Sequence, residues 1–256
     1  MSELALLGGM PLRPQGLPKY QTLGAEERHA VNEVLDSGVL SQFLGAWGPD
    51  FFGGPRVQKL ERAWEYHFNV AHAVSVNSAT SGLYAAVGAV GVGPGDEVIV
   101  SPYTMSASAV AAVVYGAIPV FADIDPDSFC ISARTIAEKI TPRTKAIIVV
   151  DIFGLPSDWD AIMALATKHG LLVIEDAAQA PGARYKGRWA GTLGHIGVYS
   201  LNYHKTIHSG EGGVCVTNDP KLAERMQLIR NHAEVVITKK SCDDLTNMIG
   251  FNYRMT

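Results

Sequence analysis

The sequence predicts an α/β fold: a mainly parallel, seven-stranded mixed sheet flanked by helices. Three observations carry this expectation. Seven short runs rich in β-branched residues recur between positions 72 and 217, most of them continuously apolar rather than alternating. Such runs mark strands covered on both faces. Most are separated by stretches with helical spacing, which is the pattern of parallel βα units. Finally, the 256 residues are 47% hydrophobic and 18% charged, enough apolar material for one large core and too much for disorder.

The elements follow in order. "GAEERHAVNEVLDSG" (24–38) has helical spacing at Val31, Val34 and Leu35 and a stop at Gly38. "RVQKLERAWEYHFN" (56–69) places Val57, Leu60, Trp64 and Phe68 on one face. The intervening "SQFLGAWGPDFFGG" is a loop whose aromatics either line a pocket or plug the core, with the core favoured. The strand runs are 72–76, 97–100, 118–122, 145–150, 171–175, 197–201 and 212–217. Helical stretches lie at 81–91, 106–116, 131–140 and 159–170. No helix is evident between the last two strands, so one of them is expected to be antiparallel.

Composition excludes several functions. Lys and Arg total 21 against 25 acidic residues, a net charge of −4 with no basic stripe, so phosphate-driven nucleic-acid binding is not expected. Cys130, Cys215 and Cys242 are far apart, which argues against a disulfide scaffold or zinc ribbon and for reduced thiols. His204 and His208 lack a zincin glutamate, so no metal is expected. The N-terminus has no basic segment followed by an apolar one, and no apolar run reaches the ~18–20 residues of a membrane span. A soluble cytoplasmic protein is the expectation.

In parallel sheets ligands gather at the carboxyl ends of the strands. Three segments there suggest chemistry. "VNSATSGL" runs from a strand into a helix, where hydroxyls and backbone N–H groups suit either a phosphate or an ordinary N-cap. "LLVIEDAAQA" ends a buried strand with Glu175 and Asp176, which must face opposite sides of the sheet. One of them can meet a cationic heterocycle. "SLNYHKTIHSGEGG" places Lys205 beyond a β run, where a lysine serves either as a solvated surface residue or as a Schiff-base amine. Together, a phosphate cradle, a carboxylate for a ring nitrogen and an amine are what pyridoxal phosphate requires. Tyr103, in "SPYTMSAS", supplies an aromatic ring at a neighbouring strand end.

The chain resembles the DegT/StrS-type family of pyridoxal-phosphate sugar aminotransferases. The resemblance runs in order through "LLGGMPLRP", "NSATSGL", "GDEVIVSPYTMSAS", "DIDPDSF", "IFGLPSDWDAI", "VIEDAAQAPGA", "GEGGVCVTND" and "GFNYRMT". It implies the large domain of the aspartate-aminotransferase fold over residues 1–256, with an N-terminal helical arm over about 1–70 and a smaller C-terminal domain beyond Thr256. It also implies roles. Lys205 resembles the catalytic lysine that holds the cofactor. Asp176 resembles the ring-nitrogen partner and Gln179 the contact to the ring hydroxyl. Thr80, Ser81 and Ser200 resemble phosphate ligands, and Tyr103 the stacking ring. Asn252 resembles a phosphate contact donated to a neighbouring subunit, so a homodimer is implied. The implied reaction moves an amino group from glutamate or glutamine to a nucleotide-linked keto-sugar or a keto-cyclitol.

One departure from the family pattern is Asn202, where many members carry histidine two residues after the serine. Lys205 itself separates this chain from dehydratase members, which carry histidine at that position. The alternatives on the same scaffold are a pyridoxamine-dependent sugar dehydratase and a truncated remnant with a binding role. A generic doubly wound binding domain would share the strand rhythm without the lysine chemistry.

Overall fold

In a computed structural model of the chain, residues 3–19, 21–238 and 244–256 are described. Among the described residues there are nine strands: β1 His72–Val76, β2 Glu97–Val100, β3 Ile118–Phe121, β4 Thr144–Val150, β5 Leu172–Asp176, β6 Arg184–Tyr185, β7 Arg188–Trp189, β8 Ile196–Ser200 and β9 Gly213–Thr217. The helices are α1 Ala25–Ser37, α2 Pro55–Phe68, α3 Ala79–Ala89, α4 Ser106–Val113, α5 Ala133–Ala137, α6 Trp159–His169, α7 Pro220–Arg230 and α8 Val235–Thr238. Seven strands form one sheet in the order β1-β9-β8-β5-β4-β2-β3. The seven expected runs supply these strands, within one residue at each end. Of the last two, β9 is the antiparallel one, pairing that way with both β1 and β8.

Side chains alternate strictly between the two faces of this sheet. Val74, Val76, Val98, Val100, Ile148, Ile174 and Val198 pack under α3, α4 and α7. On the other face Ile99, Ile147, Val149 and Val173 meet Trp159 and Ile162 of α6, while Tyr199, Val214 and Val216 meet Trp64 and Phe68 of α2. Two glycines permit the close contact of α3 with the sheet. A Cβ on Gly82 would stand 2.9 Å from Val198 Cγ1, and one on Gly213 2.8 Å from the backbone of Ser78 and Ala79. The helix N-terminus therefore sits directly against β9.

Helix α7 and the β6–β7 hairpin were not expected from the sequence. The helix carries a recognisable start, with Asp219 as N-cap accepting from Lys221 N–H at 2.8 Å and Pro220 in the first turn. The 39–55 aromatics divide. Phe51 is fully buried and Phe43 nearly so, as a core plug, whereas Trp47 is 39% exposed.

The chain separates into two compact units, 1–40 and 41–256. The first contains α1, which ends at Gly38 in the left-handed conformation (φ 70°) and buries none of its residues, Val31 and Leu35 included. All elements of the sheet belong to the second. Cys130 and Cys215 are buried free thiols, and Cys242 lies outside the described residues. No helix among the described residues is long and apolar enough to cross a membrane.

Candidate active site

The strands β1, β2, β4, β5 and β8 all end at one edge of the sheet, and the expected site residues gather there. Asp176 is the last residue of β5, buried on the face that carries α3 and α4. Its Oδ2 accepts from Ser108 Oγ–H at 2.8 Å and its Oδ1 from Ala178 N–H at 3.2 Å. Burial pushes the carboxyl up from its ordinary range, while these two donors and the charge of Lys205 act in the opposite direction. Asp176 forms no ion pair among the described residues. A buried carboxylate without a hydrogen-bonded cation is costly, and a protonated ring nitrogen fits that vacancy in charge.

Lys205 lies five residues beyond Ser200, in the loop between β8 and β9, and is half-buried. Asn202 organises this loop. Its carbonyl accepts from Lys205 N–H at 2.8 Å, its Oδ1 from His204 N–H at 3.1 Å, and its Nδ2 donates to Glu211 at 2.8 Å. The departure from the family pattern at position 202 is thus a loop brace. Ser200, the buried last residue of β8, accepts from Asn202 N–H through Oγ at 3.2 Å.

Thr80 and Ser81 occupy the first turn of α3, whose N-cap is Ser78. Ser78 Oγ accepts from Ser81 N–H at 3.0 Å, and Ser81 Oγ–H donates to Asn77 Oδ1 at 2.6 Å. Hydroxyls and the positive end of the helix dipole face the same edge as Ser200, which suits an anion. Asn252 is exposed and borders this turn. Its carbonyl accepts from Asn77 Nδ2 at 3.4 Å, and its Oδ1 from Arg254 Nε–H at 2.8 Å.

On the other side of Asp176, Gln179 Oε1 accepts from Phe153 N–H at 2.7 Å, so its Nε2 is the donor that remains for a ligand oxygen. Tyr103 is 45% exposed, with ring centroids 5.6 Å from Phe129 and 6.2 Å from Phe153. Phe129 (φ 61°) and Phe153 (φ 55°) both take the left-handed backbone conformation, which strains a bulky side chain. The three rings form an apolar wall at the mouth of the site.

Ser108, Phe129 and Phe153 were not identified from the sequence. A signal for Ser108 existed, since it shares a helix face with Ala111 and Ala112 and is therefore a hydroxyl directed into the core. Glu175 and Asp176 do face opposite sides. Glu175 turns toward α6 and accepts from the N–H groups of Leu193 at 2.6 Å and Gly194 at 3.1 Å.

Known proteins share this architecture. The profile of the DegT/DnrJ/EryC1/StrS aminotransferase family matches residues 21–256. The spore coat polysaccharide biosynthesis protein SpsC of Bacillus subtilis (strain 168) is 41% identical over 219 residues, covering 86% of this chain and 53% of that protein. GDP-perosamine synthase of Caulobacter vibrioides is 40% identical over 234 residues, covering 91% of this chain and 59% of its own. The X-ray structure of the aminotransferase from Psychrobacter cryohalolentis superposes with a TM-score of 0.80 at 36% identity, over 94% of this chain and 60% of the other. The chain thus spans between half and two-thirds of each protein's length. With a profile match over nearly its whole length, the chain belongs to the DegT/DnrJ/EryC1/StrS aminotransferase family.

Proposed function

We infer that this chain is the cofactor-binding large domain of a pyridoxal-phosphate-dependent aminotransferase acting on a nucleotide-linked keto-sugar or a keto-cyclitol. The observation that carries this reading is Asp176, a buried carboxylate without an ion-pair partner among the described residues, at the sheet edge beyond which Lys205 follows β8. The residues present fit the cofactor. Asp176 would hold the proton on its ring nitrogen, the Ser78–Ser81 turn and Ser200 would bind its phosphate, and Gln179 would donate to its ring hydroxyl. When bound, pyridoxal phosphate supplies a carbonyl that takes up amines and a cationic ring that stabilises negative charge at the adjoining carbon.

The chain's own groups then have defined tasks. Asp176 keeps a positive charge at the ring nitrogen, because its two donors, Ser108 and Ala178, favour the ionised carboxylate that pairs with it. Lys205 Nζ would hold the cofactor, and as a free amine would carry the proton from Cα of the amino donor to the carbon that bears the cofactor's carbonyl. Tyr103, Phe129 and Phe153 exclude water from one side of the site. The amino donor is glutamate or glutamine. The protein is cytoplasmic and works as a homodimer, in which Asn252 offers Nδ2 to the neighbouring subunit's phosphate site. The names of the sugar and polysaccharide relatives support the substrate class.

The test is reductive trapping. The purified chain is mixed with pyridoxal phosphate, treated with borohydride and mapped by peptide mass. The expected adduct lies on Lys205 and disappears in Lys205→Ala, which also loses amino transfer. An adduct on another lysine, or normal transfer by Lys205→Ala, refutes the assignment.

A further inference from the structure

Ser108 has a second hydrogen-bond partner, Thr104, with no task in the chemistry above. Helix α4 turns Ser108, Ala111 and Ala112 into the core, and from there Ser108 Oγ reaches Asp176 Oδ2 at 2.8 Å. Thr104 stands just outside α4, whose N-cap is Met105. A spacing of four residues is one helical turn, and it brings Thr104 Oγ1 to 3.2 Å from Ser108 Oγ. The neighbouring Tyr103 N–H donates to Ser101 Oγ at 3.0 Å, so the segment between β2 and α4 is fixed at its other end as well. Three oxygens thus form a line from half-buried Thr104 through fully buried Ser108 to the carboxylate.

Proton accounting gives that line a direction. A hydroxyl has one proton to donate and two lone pairs to accept with, whereas an ionised carboxylate only accepts. Ser108 therefore commits its proton to Asp176. At the contact between the two hydroxyls, Ser108 Oγ is then the acceptor and Thr104 Oγ1–H the donor. The reverse direction would leave Asp176 Oδ2 without a hydroxyl donor in a buried site, which is the costlier arrangement. Hydrogen bonds arranged in a chain polarise one another, so a hydroxyl that accepts is the better donor. The bond from Ser108 to Asp176 is accordingly stronger, and its rotor better fixed, with Thr104 in place than without it.

We propose that Thr104 is a positioning residue for the ring-nitrogen site: its hydroxyl donates to Ser108, and this relay orients and strengthens the hydrogen bond that holds Asp176 as a carboxylate toward the cofactor's ring nitrogen. The positioning role rests on the reading under Proposed function, while the relay from Thr104 through Ser108 to Asp176 does not.

Titrations of the purified chain with two probes, together with thermal melts, test both parts. The probes are pyridoxal phosphate and its deaza analogue, in which a C–H group replaces the ring nitrogen. Thr104→Val should weaken pyridoxal phosphate binding about threefold, because Asp176 then receives a weaker donor. The same variant should bind the deaza analogue as wild type does, since that probe has no ring nitrogen for Asp176 to meet. Thr104→Ser keeps the hydroxyl and should match wild type with both probes. Equal weakening of both probes in Thr104→Val would show a merely structural role and overturn the positioning role, as would unchanged affinity for pyridoxal phosphate. In melts of the cofactor-free chain, Thr104→Val should lower the midpoint about 2–4 °C more in wild type than in a Ser108→Ala background, where no hydroxyl is left to receive its proton. Equal shifts in the two backgrounds overturn the relay itself. If the wild-type chain binds neither probe, the aminotransferase reading and the positioning role fail together, while the melts still decide whether the relay exists.

Discussion

Two buried carboxylates of this molecule have opposite environments. Glu61, on α2, is paired with Arg230 of α7, whose Nη1–H donates to its Oε1 at 2.7 Å. The same oxygen accepts from Ser75 N–H and Ser75 Oγ–H, each at 2.8 Å, so α2, β1 and α7 are tied at one point. Phe43 covers the guanidinium at 4.8 Å. Asp176 has hydroxyl and amide donors but no ion pair among the described residues. The first site supplies its carboxylate with a cation through Nη1, while Nε and Nη2 of the same guanidinium meet no acceptor among the described residues, and it contributes to structure. The second is left open to a cation, and the fold accepts the penalty at the sheet edge where ligands bind. An uncompensated buried carboxylate is thus more informative about function than a buried salt bridge.

The contrast yields measurable expectations. The largest effect belongs to the closed site. Arg230→Met leaves Glu61 buried beside Ser75 without its cation and should cost about 3–5 kcal/mol in chemical denaturation. A loss below about 1 kcal/mol would place Glu61 in water and dissolve the contrast. Asp176→Asn should do the reverse. It removes an unpaired buried charge, so the cofactor-free chain should be as stable as wild type or more so. Pyridoxal phosphate affinity, measured by fluorescence titration, should fall about 10- to 100-fold with the loss of a charge-assisted hydrogen bond.

Ser108→Ala sharpens the comparison, because Asp176 Oδ2 then loses its hydroxyl donor. Cofactor affinity should drop about three- to tenfold, with a stability change of ~1–2 kcal/mol. The pH dependence separates the two sites as well. The raised carboxyl of Asp176 stabilises the cofactor-free chain at low pH and loses that contribution as pH rises above ~4. Bound pyridoxal phosphate, by supplying the cation, should flatten that slope in differential scanning calorimetry. The smallest effect is expected outside both sites. Arg134 and Glu138 form an exposed i,i+4 pair at 3.2 Å, and Arg134→Ala should change stability by no more than about 0.5 kcal/mol.

Much of this molecule is legible in its residues. The apolar runs at 72–76, 97–100 and 145–150 identify strands because only a sheet buried on both faces accommodates continuous Val and Ile. The absence of a helical stretch between Ser200 and Gly213 predicts an antiparallel strand, since a tight return cannot make a parallel one. The period of two separates Glu175 from Asp176 without any coordinates. Asp176, Gln179 and Lys205 are visible as candidates because they follow strands at the ligand edge. Helix α7 is legible as well, since Asp219-Pro220 gives a start and Leu222, Met226 and Ile229 fall at helical spacing on the face that packs against α3.

What the chain determines alone is therefore local: periodicity fixes which residues form strands, which face each side chain takes and which polar groups sit at strand ends. Tertiary structure decides which of those groups meet. Ser108 and Asp176 are 68 positions apart, and Glu61 and Arg230 are 169 apart. No local pattern specifies that one carboxylate receives a guanidinium, another a hydroxyl and one backbone amide, and a third, Glu175, three backbone N–H groups. The physical reason is that the environment of a buried charge is made by non-local packing, with strand order bringing β4 beside β5 and helix docking bringing α4 over Asp176.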